Sequence, residues 1–280
     1  MVLRDERITA EVVLDSIAPN MERITTFSLC FPRIILSEFN THRVFSRNAR
    51  STRAVPTSKL IQEVRENPFV PVRMYKNKPG MQGTELIQGN ELEEVQWAWR
   101  DAARSASAHA EEIFSLGLHK QHAGRIVEPY TYTFVCMTTT EIENFLWLRD
   151  DSDAQPEIQD LAVAIRAALD TSTPQLLEYG QWHLPYLREE DMRLHINDKL
   201  KISAARCARV SYKNFEGKIT TQEEDLALFK KLVTGKPHLS PTEHQACASN
   251  YSDYNYRNLR GNYTGYKQYR KFIEAELKGF

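Results

Sequence analysis

Four arginines, Arg43, Arg47, Arg50 and Arg53, fall within eleven residues beside His42, interleaved with Ser46, Ser51 and Thr52. The chain carries no Asp or Glu from Phe39 through Gln62. Such a local cationic surplus must be neutralised by water, by carboxylates brought in from elsewhere in the fold, or by a bound anion. Guanidinium forks and hydroxyls are the groups that recognise phosphate, while a solvated basic loop is the plain alternative. His119 and His122 stand three apart, a spacing that suits a metal, but no third ligand clusters with them, so a solvated or capping role is expected and no metal site. Cys30, Cys136, Cys207 and Cys247 are widely spaced and never form Cys-x-x-Cys, which predicts buried thiols rather than a zinc site or a disulfide framework.

The elements that must position the arginines follow from the apolar pattern. Glu11 to Ile17 reads as a short strand, and Ile24 to Phe31 alternates clearly, with Phe27, Leu29 and Phe31 on one face and Thr26, Ser28 and Cys30 on the other, until Pro32 closes it. Ile34, Ile35, Leu36, Phe39 and His42 then recur at helical spacing. The arginine stretch is therefore expected to start on the last turn of a helix and run into a loop ended by Pro56. Thr57 or Ser58 caps a helix to about Asn67, Pro68 to Asn90 reads as a long irregular excursion, and Glu91 to Leu116 is the longest helical pattern, stopped by Gly117. Tyr130 to Met137 is β-rich and leads through Thr138 and Thr140 into a helix ending at Arg149. Further helices are expected from Pro156 to Leu169, Ile202 to Tyr212 and Glu223 to Val233, with Pro174 to Leu187 as a packed connection. The aromatic and basic tail Gly261 to Arg270 predicts a helix docking its tyrosines on the body, or else a contact to a base or phosphate.

At 280 residues, 41% apolar, 26% charged and a net charge of -1, the chain can bury one substantial core or two modest ones. Near-neutral charge argues against a protein that coats nucleic acid, which needs a broad basic face. Any anion site is thus local and small. The charged start Met1 to Arg7 lacks the apolar core of a signal peptide, and no run approaches a membrane span of about 20 apolar residues, so a cytoplasmic location is expected.

His42, Arg43, Ser46, Asn48, Ser51 and Arg53 resemble the signature of the flavin-dependent thymidylate synthases, meeting six of its eight fixed positions. Thr41 replaces the first Arg of that signature and Ala49 its Glu. A second block, Asn144 to Arg149 followed by Ala154-Gln155-Pro156-Glu157-Ile158, is similar to the family's arginine-ended helix and its continuation. Ala208 to Tyr212 and His238 to His244 resemble the family's N-terminal segments, yet here they follow the second block, which implies a circular permutation. The resemblance then spans Ile24 to Arg53, Arg125 to Ile158 and Ala205 to His244. It implies an α+β fold with a mixed, mostly antiparallel sheet flanked by helices, in a single permuted domain.

The same resemblance implies transfer of a one-carbon unit from methylenetetrahydrofolate to C5 of dUMP, with hydride from FAD that NADPH reduces, giving dTMP in a homotetramer. None of the four cysteines has the Pro-Cys-His setting of the folate-only synthases. Arg149 aligns with the arginine that polarises the pyrimidine, and Ser51, Arg53 and Arg125 align with nucleotide-holding positions. Glu38 stands where the family commonly has Gln near the nucleotide. His42, Arg43, Asn144 and Ser240 align with flavin contacts. Thr138 and Thr140 replace an Asn-x-Arg pair at the flavin, and Ser211 and Glu243 lie in flavin-adjacent blocks where a structural role is equally open. The departures leave two alternatives: a flavin-dependent hydroxymethylase of dUMP or dCMP, and a non-catalytic nucleotide-binding relative.

Overall fold

The computed structural model of the chain describes residues 3–209, 219–233 and 238–279. Strands β1 (Thr9–Ile17) and β2 (Arg23–Pro32) form an antiparallel hairpin, in register from Thr9 opposite Cys30 to Ile17 opposite Arg23, with a shift between Val12 and Leu14. Helix α1 (Leu36–Phe39) follows, then a short strand β3 (Ser46–Ala49), α2 (Thr57–Glu66), the long α3 (Gly89–Ser115) and the single turn α4 (Lys120–Ala123). Strand β4 (Tyr132–Thr139) leads to α5 (Glu143–Arg149) and α6 (Pro156–Asp170). The remainder comprises β5 (Gln175–Leu176), β6 (Trp182–His183), α7 (Ile196–Arg209), α8 (Gln222–Val233), β7 (Ala246–Ala248), α9 (Tyr256–Leu259), β8 (Tyr266–Gln268) and α10 (Tyr269–Lys278).

The main sheet has the order β3-β4-β2-β1-β5, antiparallel except for the two-residue β1–β5 pairing. This is the mixed, mostly antiparallel sheet expected of the sequence. A second, three-stranded antiparallel sheet runs β6-β7-β8.

The alternation in β2 explains why it lies at the centre. Phe27, Leu29 and Phe31 pack with Ile35, Phe39 and Phe45, with Phe145 and Leu146 of α5, and with Ile158, Leu161 and Ile165 of α6. Burying each such side chain contributes on the order of 1.5–3 kcal/mol, so this face anchors α1 and α5, the two helices that carry Glu38 and Arg149. The opposite face is buried too, but polar: Thr26 Oγ1 meets Thr138 Oγ1 at 2.7 Å and His183 Nε2 at 2.8 Å. The hydroxyls of Thr26 and Thr138 and the His183 ring are each partnered there, which offsets the cost of burying them.

Several expectations are refined by the structure. A four-residue strand, β3, replaces part of the loop expected through the arginine stretch, paired from Ser46 opposite Thr138 to Ala49 opposite Val135. The connection Pro174 to Leu187 contains β5 and β6. Within the irregular Pro68 to Asn90 segment, Tyr75 bridges Leu86, flanked by Lys76 N to Glu85 O at 2.8 Å and Ile87 N to Met74 O at 2.9 Å. The helix expected from Ile202 starts earlier, at Ile196, and Val210 to Tyr212 lie outside the described residues. The tail docks its tyrosines, but not as the expected helix: Tyr263, closing a turn, and Tyr266, on β8, are fully buried, and α10 starts only at Tyr269. His119 caps α4, its ring accepting from Gln121 N. Burial pushes the Cys30 thiol up to about 12 and the Cys247 thiol up to about 11. Among the described residues, no helix is long and apolar enough to cross a membrane.

Candidate active site

The arginine stretch divides its four cations between architecture and solvent. Arg47 donates to the carbonyls of His42 at 2.8 Å, Phe45 at 3.1 Å and Asn40 at 3.0 Å, which staples the turn between α1 and β3. Arg50 is buried and forks onto Glu63 of α2 at 2.7 and 2.9 Å. Carbonyls and a distant carboxylate thus neutralise two of the four. Arg43 and Arg53 are exposed, and neither has an ion-pair partner among the described residues.

At the other end of the stapled turn the structure builds a three-residue cluster. Arg149, the last residue of α5, donates from Nε to His42 Nε2 at 3.1 Å and from Nη1 to Glu38 Oε1. A guanidinium has five N–H donors, so after these two bonds the remaining three, including both on Nη2, have no partner among the described residues. The Arg149 and Glu38 side chains keep 21% and 30% of their exposure, so the cluster opens to solvent. His42 is buried, stacked on Phe45 and edge-on to Phe145 with centroids 5.7 and 4.9 Å away. Burial, then the positive charges of Arg149 and Arg47, hold its pKa below the ordinary imidazole value. A neutral ring is what the geometry needs, because Nε2 must accept the bond from Arg149.

A second cluster gathers around Glu128, a residue the sequence reading passed over. Glu128 accepts from Arg125 Nη1 at 2.8 Å and from Thr52 Oγ1, and Arg33 Nη2 lies 3.3 Å from the same Oε1. Arg33 also donates to Arg50 O at 3.1 Å. Burial lowers the Arg33 pKa, and the Glu128 charge works against that shift. Of the residues aligned with nucleotide holding, only the exposed Arg125 meets this carboxylate; Ser51, half-buried, and Arg53, exposed, flank Thr52 in the chain and make no hydrogen bond or ion pair to Glu128 among the described residues. The three-residue step from Arg125 to Glu128 was the available signal for this pairing.

The residues aligned with flavin contacts are brought partly together. The turn Ser240–Glu243 packs against β3, although nearly two hundred positions separate them in the chain. Ser240 Oγ lies 3.5 Å from His238 Nε2, and the Glu243 carboxylate accepts from Arg270 Nη1. Asn144 is exposed on the first turn of α5. Thr140 Oγ1 accepts from Thr264 N at 3.0 Å, which leaves its own proton to donate. Thr138 lies opposite Ser46, on the same face of the sheet, but its hydroxyl is fully buried between Thr26 at 2.7 Å and His244 Nδ1 at 2.8 Å, which commits it to the interior. Ser211 lies outside the described residues. On β3, Asn48 shares a strand face with Ser46, and its buried Nδ2 has no hydrogen-bond partner among the described residues. An orphaned buried donor on that strand is the kind of group a bound ligand satisfies.

Among solved structures, a UMP/dUMP methylase, PolB, from Streptomyces cacaoi bound with 5-Br UMP is 16% identical, with a TM-score of 0.46 over 60% of this chain and 89% of its own. A flavin-dependent thymidylate synthase, ThyX, from Helicobacter pylori complexed with FAD and dUMP is 21% identical, with a TM-score of 0.36 over 52% of this chain and 67% of its own. No curated protein sequence matches the chain. Residues 22–175, more than half of the 280, match the Thy1 family, described as thymidylate synthase complementing protein. That stretch contains β2, the arginine turn, β4 and α5, and with it both clusters, so the chain belongs to the thymidylate synthase complementing protein family.

Proposed function

We propose that the chain transfers a one-carbon unit from methylenetetrahydrofolate to C5 of dUMP, yielding dTMP, as an FAD-dependent enzyme with NADPH as reductant. The observation that carries this reading is Arg149: a guanidinium fixed by His42 and Glu38, with its outer N–H groups uncommitted at a solvent-open edge. Such a preorganised cation stabilises negative charge developing on a pyrimidine carbonyl edge without reorganising during the reaction. Arg53 and Arg125, with Ser51, are assigned to the nucleotide phosphate, which would exchange with the Glu128 carboxylate for Arg125.

The residues present fit a flavin. Arg43, next to His42 in the chain, and Asn144, on the first turn of α5, are exposed polar groups, Thr140 retains a donor, and Ser240 with the orphaned Asn48 Nδ2 lies where the C-terminal turn meets β3. When bound, FAD supplies the hydride that reduces the transferred carbon. The chain's own contribution is to orient the base with Arg149 and to hold His42 neutral.

The packing of Ser240–Glu243 on β3, together with a family match that ends at residue 175, supports a circularly permuted single domain. We assign the assembly as a homotetramer; Trp147, 75% exposed, and Leu148 beside Arg149 are the apolar surface a partner subunit would cover. Glu38 bears on the second reading. An ionised carboxylate only accepts hydrogen bonds, which suits the amino group of cytosine and equally the N3–H of uracil, so a flavin-dependent hydroxymethylase of dUMP or dCMP is the second reading.

The test is to record the visible absorbance of oxidised flavin in the purified protein, then incubate reduced enzyme and methylenetetrahydrofolate with dUMP or dCMP and weigh the nucleotide. A methyl product from dUMP is expected. A hydroxymethyl product moves the assignment to the second reading, and an unchanged mass with both nucleotides leaves only a nucleotide-binding relative.

A further inference from the structure

A cleft between α2, the segment that follows it and α3 encloses about 350 Å³ and is unused by the reaction proposed above. It shares no lining residue with the Arg149 or Glu128 clusters. Four arginines line it, Arg7, Arg65, Arg100 and Arg104, against one carboxylate, Glu66. Its apolar lining is Val64, Pro68, Val70 and Val72, and the buried Val64 and Val70 form the floor.

The internal neutralisation of these cations is weak. Arg65 pairs with Glu111 and Arg104 with Asp101, in each case between exposed side chains on the helix surface, where ion pairs contribute little and exchange readily. Arg7 sits over the Tyr132 ring at 4.4 Å and donates to Pro68 O at 3.2 Å and to Asp5 Oδ1 at 3.3 Å. Arg100 has neither an ion pair nor a hydrogen-bond partner among the described residues. Gathering four guanidinium groups around one concavity concentrates positive potential there, and low-dielectric walls focus it.

From this arrangement we infer that the cleft is a second anion site, which takes a compact oligophosphate of two or more linked phosphoryl groups. The guanidinium forks come from three elements, the N-terminal segment, α2 and α3, so they address a ligand from several sides, as a chain of tetrahedral phosphoryl groups allows and a single flat carboxylate does not. The size is at the low end of small-molecule pockets, about 300–1,000 Å³, which suits one small molecule and not a nucleic-acid strand. The phosphate chain belongs either to a free inorganic oligophosphate or to a nucleotide whose body lies on the apolar floor.

Calorimetric titration of the full chain with inorganic tripolyphosphate and, separately, with ATP distinguishes these sources. One ligand per chain is expected, with binding that weakens steeply as salt is added. Affinity should fall about tenfold or more in Arg100→Gln, the loss of one charge-assisted pair, and further when Arg104→Gln is added. Arg193→Gln, at an exposed arginine outside both the cleft and the proposed nucleotide site, should leave it unchanged. Because Arg100 is exposed, its replacement spares the core, and matched melting curves with Arg65→Gln as a second variant guard against misfolding. Tighter binding of ATP than of tripolyphosphate assigns the floor to a nucleoside, and equal binding assigns the site to the phosphate chain alone. Absence of heat with both probes, an unchanged affinity in Arg100→Gln, or an equal loss of binding in Arg193→Gln overturns the inference.

Discussion

Replacing Arg149 with Ala separates catalysis from stability by magnitude. The Arg149–Glu38 pair is partly exposed, at 21% and 30%, so its loss costs about 0.2–1 kcal/mol. The bond from Nε to His42 is a hydrogen bond from a charged donor, about 1.5 kcal/mol. Together these remove about 2 kcal/mol, and even a protein at the low end of ordinary stability, about 5 kcal/mol, would retain about 3 kcal/mol and stay more than about 99% folded. The expected drop in turnover is about 10²–10³, the consequence of deleting one preorganised donor, equivalent to about 2.7–4 kcal/mol at 1.36 kcal/mol per tenfold. Unfolding therefore cannot account for it. The assay is nucleotide product per bound flavin, read by mass and by visible absorbance, with Arg149→Lys alongside. Lysine keeps the charge without the fork, so an intermediate rate is expected. Turnover per flavin that is unchanged in Arg149→Ala, or a loss fully matched by lost flavin, would refute the role given to this residue.

Three further outcomes test other parts of the structure. Glu38→Gln should narrow any preference for dCMP over dUMP by about 1–3 kcal/mol, the scale of one unpaired buried polar group; competition between the two nucleotides measures it, and an unaltered ratio argues against Glu38 facing the base. Asp225 is fully buried and accepts from Arg206 at 2.7 Å, Arg209 at 3.0 Å and Thr220 at 2.9 Å, so, among the described residues, Asp225→Ala leaves Arg209 without an ion pair and Arg206 with Asp191 alone. A loss of about 1.5–3 kcal/mol, the scale of a charged hydrogen bond, is expected in denaturant titration, and a loss below about 1 kcal/mol would show that the network relaxes. His183 is fully buried between Ser16 at 2.9 Å and Thr26 at 2.8 Å, and burial depresses it from 6.5 to about 3. The unfolded chain takes up that proton near pH 6.5 and the folded chain only near pH 3, so the unfolded state binds more protons between them and stability falls as pH drops through that window, by about 1.4 kcal/mol per unit. His183→Gln should flatten the slope between pH 6.5 and pH 5, above the carboxylate range, and an identical slope would count against the assignment.

Local patterns in the chain already contained the frame of the fold. Strict alternation through Phe27, Leu29 and Phe31 dictates a strand with one apolar face, and Gly117 and the prolines mark where helices stop, because backbone and side-chain periodicity are local properties. The motif residues His42, Arg43 and Arg149 were legible for the same reason, as types at fixed spacing. Strand β3 was not: Ser46 to Ala49 has no apolar alternation, and it is held by pairing to β4 and by hydrogen bonds to Ser46 from Gln268 at 3.1 Å and Asn262 at 3.2 Å, residues far along the chain. Nor does anything local reveal that Thr138 turns inward, since its face of β4 is covered by the distant His183 and His244. Charge behaves likewise. The sequence alone determines that four arginines lie together without an acid, but only the tertiary structure decides that Glu63 captures Arg50, that carbonyls capture Arg47, that Glu128 gathers Arg33 and Arg125, and that Arg149 keeps donors to spare. The reason is that a charge is neutralised by whatever the fold brings within a few ångströms, and proximity across the chain is not a local property.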